Sequence, residues 1–187
     1  MTHQLNFIYN DSDWIAPAEY PDLSKATEIA IDLETKDPNI KTKGPGWATF
    51  DGQIVGFAVA ALGQQWYFPI AHDAGGNMDL SITCAFIQDI LKTDATKIFH
   101  NASYDVGWLL VNGFEIRGKI VDTMIAAAII NENRFSFSLN ACAKDYLGEI
   151  KNETFLNEKA KEWGIDPKAD MWKLPAGYVG FYAEQDA

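Results

Sequence analysis

The segment over residues 28–34 constrains the fold most, because it has the pattern of a β-strand that ends on two carboxylates. Its sequence, Glu-Ile-Ala-Ile-Asp-Leu-Glu, alternates apolar side chains with others, as a half-buried strand does. Successive side chains of a strand point to opposite faces, so Asp32 and Glu34 share one face. Two carboxylates held side by side predict a cation site, although an Asp-x-Glu pair at a strand end is common and is weak evidence alone.

Two more acidic motifs follow in the chain, and both fall on predicted helices. Asn101 and Asp105 flank the start of a helix predicted over 103–111, which places Asp105 in its first turn. Tyr182 and Asp186 are four residues apart in the last predicted helix, so they share one helical face. Taken singly, the first motif indicates helix capping and the second an amphipathic surface. A strand-borne pair followed by both motifs in one domain favours a common site.

The order of predicted elements favours an α/β fold with a mixed five-stranded sheet. Strand patterns at 28–34, 53–62 and 65–70 lie close together, and Gly63-Gln64 is a hairpin signal, which predicts an antiparallel meander. Two later strands alternate with helices, which predicts parallel strands with helices flanking the sheet. The later elements are predicted as helices at 79–91, 103–111, 122–130, 138–147 and 153–163, strands at 97–100 and 115–121, and a final helix after residues 175–177.

The chain length of 187 residues and its 48% apolar content fit one globular domain. Residues 1–26 are predicted to form an N-terminal arm and residues 27–187 the domain, in which residues 36–51 are rich in Pro and Gly and predict a loop. The sequence has no apolar stretch long enough to cross a bilayer, and its N-terminus lacks the pattern of a signal peptide. We therefore expect a cytoplasmic, intracellular protein without a membrane partner.

The formal net charge of −11 weighs against a broad nucleic-acid footprint, which is usually basic. Divalent ions at an acidic site would cancel part of this charge where it matters. Lys36, Lys41 and Lys43 offer local phosphate contacts, and a solvated surface is an equally good interpretation of these lysines. The charge predicts weak, salt-sensitive binding of a nucleic acid.

Four carboxylates and one phenol are what a two-metal phosphodiesterase needs. Phosphodiester hydrolysis requires an activated nucleophile, charge relief on the phosphoryl oxygens and a stabilised leaving oxygen, and two divalent ions supply all three. Mg²⁺ and Mn²⁺ prefer oxygen ligands. Asp32 is placed to bridge both ions, with Glu34 and Asp186 on the ion that activates water and Asp105 on the second ion. Tyr182 is placed to orient the attacking water.

These motifs, in this order, resemble the 3′–5′ exonuclease domain of family A DNA polymerases, in the DEDDy branch of the DnaQ-like exonucleases with an RNase H-like fold. Three further segments carry the resemblance, which covers residues 27–187. They are a strand that ends in a Pro-x-x-His segment (66–73), an Asp-Thr helix start after the fifth strand (121–124) and the helix that follows (138–148).

The resemblance implies roles for particular residues. It makes Asp32, Glu34, Asp105 and Asp186 ligands of two divalent ions, Mg²⁺ or Mn²⁺, and it makes Tyr182 the water-orienting residue. It also implies contacts with the 3′-terminal nucleotides, through the side chains of Thr35 and Asn101 and through the backbone at Leu33.

The activity implied is metal-dependent 3′–5′ hydrolysis of single-stranded or frayed DNA ends, which releases nucleoside monophosphates in a proofreading role. The resemblance further implies a C-terminal polymerase domain in a longer protein, from which 1–187 would be an excised domain, and we expect that domain to act as a monomer. The loop over 36–47 is closer to phage-encoded members. Two alternatives stay open: an RNase D-like 3′–5′ exoribonuclease, and a non-catalytic nucleic-acid-binding module on the same fold.

Overall fold

The computed structural model describes residues 12–187, so residues 1–11 of the predicted arm lie outside it. Within this part, five strands form one mixed sheet in the order β3-β2-β1-β4-β5. The first three strands pair antiparallel, and β4 pairs parallel with β1 and with β5. This confirms the predicted fold class. The strands are β1 (Glu28–Lys36), β2 (Gln53–Ala61), β3 (Gln64–Pro69), β4 (Thr96–Phe99) and β5 (Ile120–Asp122).

The helices lie between and after these strands, mostly where the sequence predicts them. No helix within residues 12–187 combines the length and the apolar character that crossing a bilayer requires. A 3₁₀ turn spans Met171–Lys173. The α-helices are α1 (Ile40–Lys43), α2 (Gly46–Thr49), α3 (Leu80–Leu91), α4 (Ala102–Val111), α5 (Thr123–Ile130), α6 (Leu139–Leu147), α7 (Thr154–Trp163) and α8 (Ala176–Glu184).

The structure corrects three local predictions. The predicted fifth strand, 115–121, is wrong in its first half, because the N–H groups of Glu115 and Arg117 bond to Gln88 Oε1 and Leu91 O at the end of α3. The 36–51 loop contains the short helices α1 and α2. The β2–β3 turn centres one residue earlier than predicted, on Leu62-Gly63, whose φ values of 54° and 74° suit a tight hairpin.

The two faces of β1 lie against different parts of the core. Ile29, Ile31 and Leu33 are buried on one face, in a cluster that includes side chains of α3 and α4. Asp32 and Glu34 alternate with them and therefore point to the opposite face. A second buried cluster, formed by residues of β2, β3, α7 and α8, covers that opposite face. The predicted shared face of the two acids thus lies under the last helix of the chain.

Trp14 ties the described part of the predicted arm to α8. Its side chain is buried, its ring lies 5.9 Å from that of Tyr67, and its Nε1–H donates to Glu184 Oε1 at 2.9 Å. A Cβ at Gly180 would come within 2.0 Å of the indole, so only glycine permits this approach. The contact fixes the position of α8, which leads directly to Asp186.

Candidate metal centre

Three of the predicted ligands converge at one point. Asp32, Glu34 and Asp186 each offer a carboxylate oxygen, and these oxygens lie within 4.8 Å of one another. Asp32 and Glu34 come from one face of β1, and Asp186 follows α8, which packs over that face. Oxygen ligands at this spacing suit a hard divalent cation such as Mg²⁺ or Mn²⁺.

Asp186 reaches the cluster from beyond the end of its helix, and not from within it as predicted. Helix α8 ends at Glu184, and the N–H of Gln185 bonds to the carbonyls of both Phe181 and Tyr182. The N–H of Asp186 then reaches back three residues to Ala183 O at 3.0 Å, which tightens the last turn. This tightening brings the carboxylate over β1.

Asp105 lies beside the three-carboxylate cluster in the first turn of α4, as predicted. Strands β1 and β4 are parallel, so the start of α4 lies at the same sheet edge as the end of β1. Asp105 is 3% exposed, and its Oδ1 accepts the N–H of Leu33 at 3.2 Å. This bond joins Asp105 to the backbone between Asp32 and Glu34.

The electrostatics of the cluster favour a bound cation. Burial raises the pKa of Asp32 well above its ordinary value, and Glu34, Asp105 and Asp186 raise it further by like-charge repulsion. Burial, followed by the charge of Asp186, raises the pKa of Glu34 to about 8, and burial raises the pKa of Asp105 to about 7.

An orphaned ligand atom shows that these residues fit a metal ion. Glu34 Oε1 is buried and has no hydrogen-bond partner among the described residues. A buried carboxylate oxygen without a donor is costly unless a cation satisfies it. The donor set consists of carboxylates, which suits Mg²⁺ and Mn²⁺.

Lys151 is a site residue that the sequence analysis missed. It lies between α6 and α7, its ammonium is ion-paired with Asp186, and it lies 3.2 Å from the centroid of the Tyr182 ring. A single lysine in a predicted loop carries no sequence signal for such a role, because only the tertiary fold brings it to the cluster.

Tyr182 faces the same site and stays protonated there. Burial raises the pKa of its hydroxyl above the ordinary value, and the charges of Glu34 and Asp186 raise it further. A phenol in this setting can donate or accept a hydrogen bond but does not serve as a base at neutral pH.

The three predicted substrate contacts lie at the sheet edge beside the acids. The Thr35 hydroxyl donates to the Tyr104 oxygen at 2.8 Å, and Tyr104 donates to Asp37 at 3.0 Å. The Leu33 side chain is in the core, so only its backbone faces the site, and its N–H is already bonded to Asp105.

Asn101 precedes α4 in a left-handed conformation, with φ of 67°, and its side chain does not cap the helix. Asp122 performs the capping instead. Its carboxylate accepts the N–H groups at the start of both α4 and α5, those of Asn101, Ala102, Met124 and Ile125, at 2.8–3.3 Å. Asp122 therefore caps both α5 and α4, the helix that carries Asp105.

A buried hydrogen-bond chain supports the floor of the site. The Tyr67 hydroxyl donates to His72 Nε2 at 2.7 Å, and His72 Nδ1 donates to the Leu174 carbonyl at 3.0 Å. Burial lowers the pKa of His72 to about 4, which keeps the ring neutral and fits this tautomer. Glu34 pairs across the sheet with Gly56, where a Cβ would lie 2.2 Å from the Tyr67 oxygen. These contacts give His72 a structural role.

A cleft of about 240 Å³ opens onto the cluster. Basic, acidic and amide side chains from α6 and from the segments before and after α7 line its outer part. The lining includes Asp32, His100, Asn140, Lys151, Glu153, Lys168, Tyr182 and Asp186. A chain end that enters this cleft meets the carboxylates at its base.

Comparison with known proteins gives close relatives in sequence and a wider group in structure. The chain is 37% identical to a DNA-directed DNA polymerase of Pseudomonas phage M6 over an alignment 187 residues long. The alignment covers 96% of this chain and 28% of the polymerase. It therefore spans little more than a quarter of that relative.

Two solved structures share the fold at low sequence identity. The catalytic core of RRP6 from Trypanosoma brucei superposes with a TM-score of 0.56 at 22% identity, over 88% of this chain and 38% of that one. Brucella melitensis NrnC with bound Mg²⁺ gives a TM-score of 0.52 at 19% identity, over 72% of this chain and 61% of that one.

The family assignment rests on nearly the whole domain. The sequence model of the 3′–5′ exonuclease family matches residues 18–187, a range that contains every acid of the cluster. Together with the phage relative, this match confirms the resemblance stated from the motifs. The chain belongs to the 3′–5′ exonuclease domain family of family A DNA polymerases.

Proposed function

We propose that this domain is a metal-dependent enzyme that removes nucleotides from the 3′ end of single-stranded or frayed DNA and releases nucleoside monophosphates. One observation carries the metal dependence: three carboxylates converge within 4.8 Å, and Glu34 offers a buried oxygen that no described donor satisfies. Membership of the 3′–5′ exonuclease family supports the polarity of digestion.

Asp32, Glu34 and Asp186 would hold one divalent ion, and Asp105, beside Asp32, would help to hold a second. When bound, such ions supply charge stabilisation for the phosphoryl oxygens and lower the pKa of a water ligand. The solved NrnC structure contains Mg²⁺, which supports the choice of Mg²⁺ or Mn²⁺ here.

The chain's own residues position the reactants. Tyr182 keeps its proton and orients the attacking water through its hydroxyl, since burial and two nearby carboxylates raise its pKa. Thr35 and Asn101 lie at the edge of the sheet next to the acids, where they would contact the last two nucleotides. The Leu33 backbone would approach the terminal sugar.

The preference for DNA and the proofreading role rest on the relatives. The phage protein is a DNA polymerase of which this chain matches 28%, so we propose that the domain works beside a polymerase domain in a longer chain. An intracellular location and action as a monomer belong to the same proposal.

The decisive experiment is digestion of a 5′-labelled single-stranded DNA oligonucleotide with Mg²⁺ or Mn²⁺. We expect a ladder that shortens from the 3′ end and disappears with EDTA and in Asp32→Ala. Asp89→Ala, which removes an exposed carboxylate from α3, is the matched control and keeps the ladder. An Asp32→Ala protein that digests as fast as the wild type would contradict the proposed site.

The matched RNA oligonucleotide tests the substrate. Faster digestion of RNA than of DNA would replace the proofreading role with an exoribonuclease role. A folded wild-type protein that cuts neither substrate with either metal would contradict catalysis by this domain.

A further inference from the structure

The ammonium of Lys151 lies beside the carboxylate cluster, where its positive charge offsets the charge of the acids. The Lys151 side chain is 7% exposed and is ion-paired with Asp186, which is itself 13% exposed. The same ammonium is 3.2 Å from the centroid of the Tyr182 ring. A lysine is rarely buried without a compensating partner, and Asp186 supplies the opposite charge here.

The surrounding contacts hold Lys151 in place. Its neighbour Asn152 donates its N–H to Gln185 Oε1 at 3.3 Å, next to Asp186 in the chain. The segment between α6 and α7 thus contacts the last turn of the chain at two adjacent residues. Lys168, another lysine lining the cleft, is 58% exposed and pairs with Glu153 at 3.2 Å.

We propose that Lys151 is a stand-in cation, which neutralises the cluster when no metal ion is bound and which a divalent ion must displace from Asp186. Lys151 and the metal ion compete for the carboxylate of Asp186. Binding of the ion therefore releases the ammonium toward the cleft, where the phosphodiester enters.

The physical reason for this competition is that two cations held beside one buried carboxylate repel each other. Like charges within about 4 Å repel strongly wherever water is excluded. Part of the binding free energy of the metal ion is spent on breaking the Lys151–Asp186 pair, so the pair weakens metal affinity. By linkage, the ion weakens the ion pair by the same factor.

This inference rests on the proposed metal site, and its test separates the two. Titration calorimetry with Mn²⁺ compares the wild type, Lys151→Met and the matched variant Lys168→Met. Methionine keeps the length and apolar stem of the lysine and removes its charge. We expect Lys151→Met to bind Mn²⁺ roughly tenfold more tightly, within the usual range for coupled sites, and Lys168→Met to bind like the wild type.

Each outcome decides between the possibilities. Unchanged or weaker binding by Lys151→Met, with normal binding by the wild type, would overturn the stand-in role and leave the metal site intact. An equal gain in Lys168→Met would also overturn it, because general electrostatics would then explain the effect. Absence of Mn²⁺ binding in all three proteins would overturn the proposed metal site and this role with it.

A second measurement uses the wild-type protein alone, so it does not depend on how the variants fold. Lysine acetylation with a small reagent, read by mass spectrometry, reports the accessibility of each ammonium. We expect Mn²⁺ to increase labelling of Lys151 and to leave labelling of Lys92 unchanged, since Lys92 pairs with Glu115 far from the cluster. Labelling of Lys151 that stays constant or falls with Mn²⁺ would contradict its release.

Discussion

Replacing Glu34 with glutamine should stabilise the protein in EDTA at alkaline pH. The folded state raises the pKa of Glu34 to about 8 from the ordinary 4.5, chiefly because the carboxyl is buried. Between these two values the folded state binds more protons than the unfolded state. The free energy of unfolding of the wild type therefore falls as the pH rises through this window, and glutamine removes that loss.

The size of the gain follows from two opposing effects. One pKa unit corresponds to about 1.4 kcal/mol, so holding Glu34 ionised at pH 9 costs the folded state about 5 kcal/mol. The glutamine amide inherits a buried position whose Oε1 has no described donor, which costs about 2 kcal/mol. We therefore expect Glu34→Gln to be more stable than the wild type by about 3 kcal/mol at pH 9.

Urea unfolding in EDTA, followed by tryptophan fluorescence, measures this difference. At pH 5 the wild-type carboxyl stays protonated when folded and loses only about 1 kcal/mol to ionisation of the unfolded state, so the amide cost dominates and Glu34→Gln should be the less stable protein by about 1 kcal/mol. Mg²⁺ should stabilise the wild type and leave Glu34→Gln unchanged. Glu158→Gln, which alters an exposed side chain of α7, is the control. A Glu34→Gln protein no more stable than the wild type at pH 9 would refute the argument.

Three further substitutions test separate parts of the structure. Tyr182→Phe should slow DNA hydrolysis about a hundredfold while calorimetry shows unchanged Mn²⁺ affinity; an equal rate would remove its role with water. Trp14→Ala should lower the free energy of unfolding by about 3–5 kcal/mol, measured with urea, because Trp14 fills a buried position against α8. Asp122→Ala should cost about 3 kcal/mol and weaken Mn²⁺ binding, since Asp122 caps α4; unchanged values would contradict this capping.

Local pattern was enough to predict what lies on β1. Alternation along 28–34 predicts which side chains share a face. The structure places Asp32 and Glu34 on the same face because side chains two positions apart in a strand point the same way. The parallel pairing of β1 with β4 could also be predicted, since helix α3 lies between β3 and β4 and a strand–helix–strand connection favours parallel strands. Asp105 then comes to the same edge.

Tertiary contacts determine the positions of three residues that local sequence pattern does not predict. Asp186 lies past the end of α8 because its N–H bonds to Ala183 O, and no residue type at that position signals such a turn. Lys151 enters the site from a segment without periodicity. Trp14 was assigned to an arm, because a lone aromatic residue among polar ones does not reveal that Gly180 leaves room for it.

The contact between Trp14 and Glu184 joins residues 170 positions apart in the chain. Asp32 and Glu34 are synthesised early. Asp186, the third carboxylate of their cluster, emerges from the ribosome only after nearly all of the domain. Contacts of such sequence separation form late in folding. A nascent chain therefore exposes a strand with two unpaired carboxylates before the third carboxylate of the cluster is present, and we expect the proposed nuclease activity to begin only once α8 has docked.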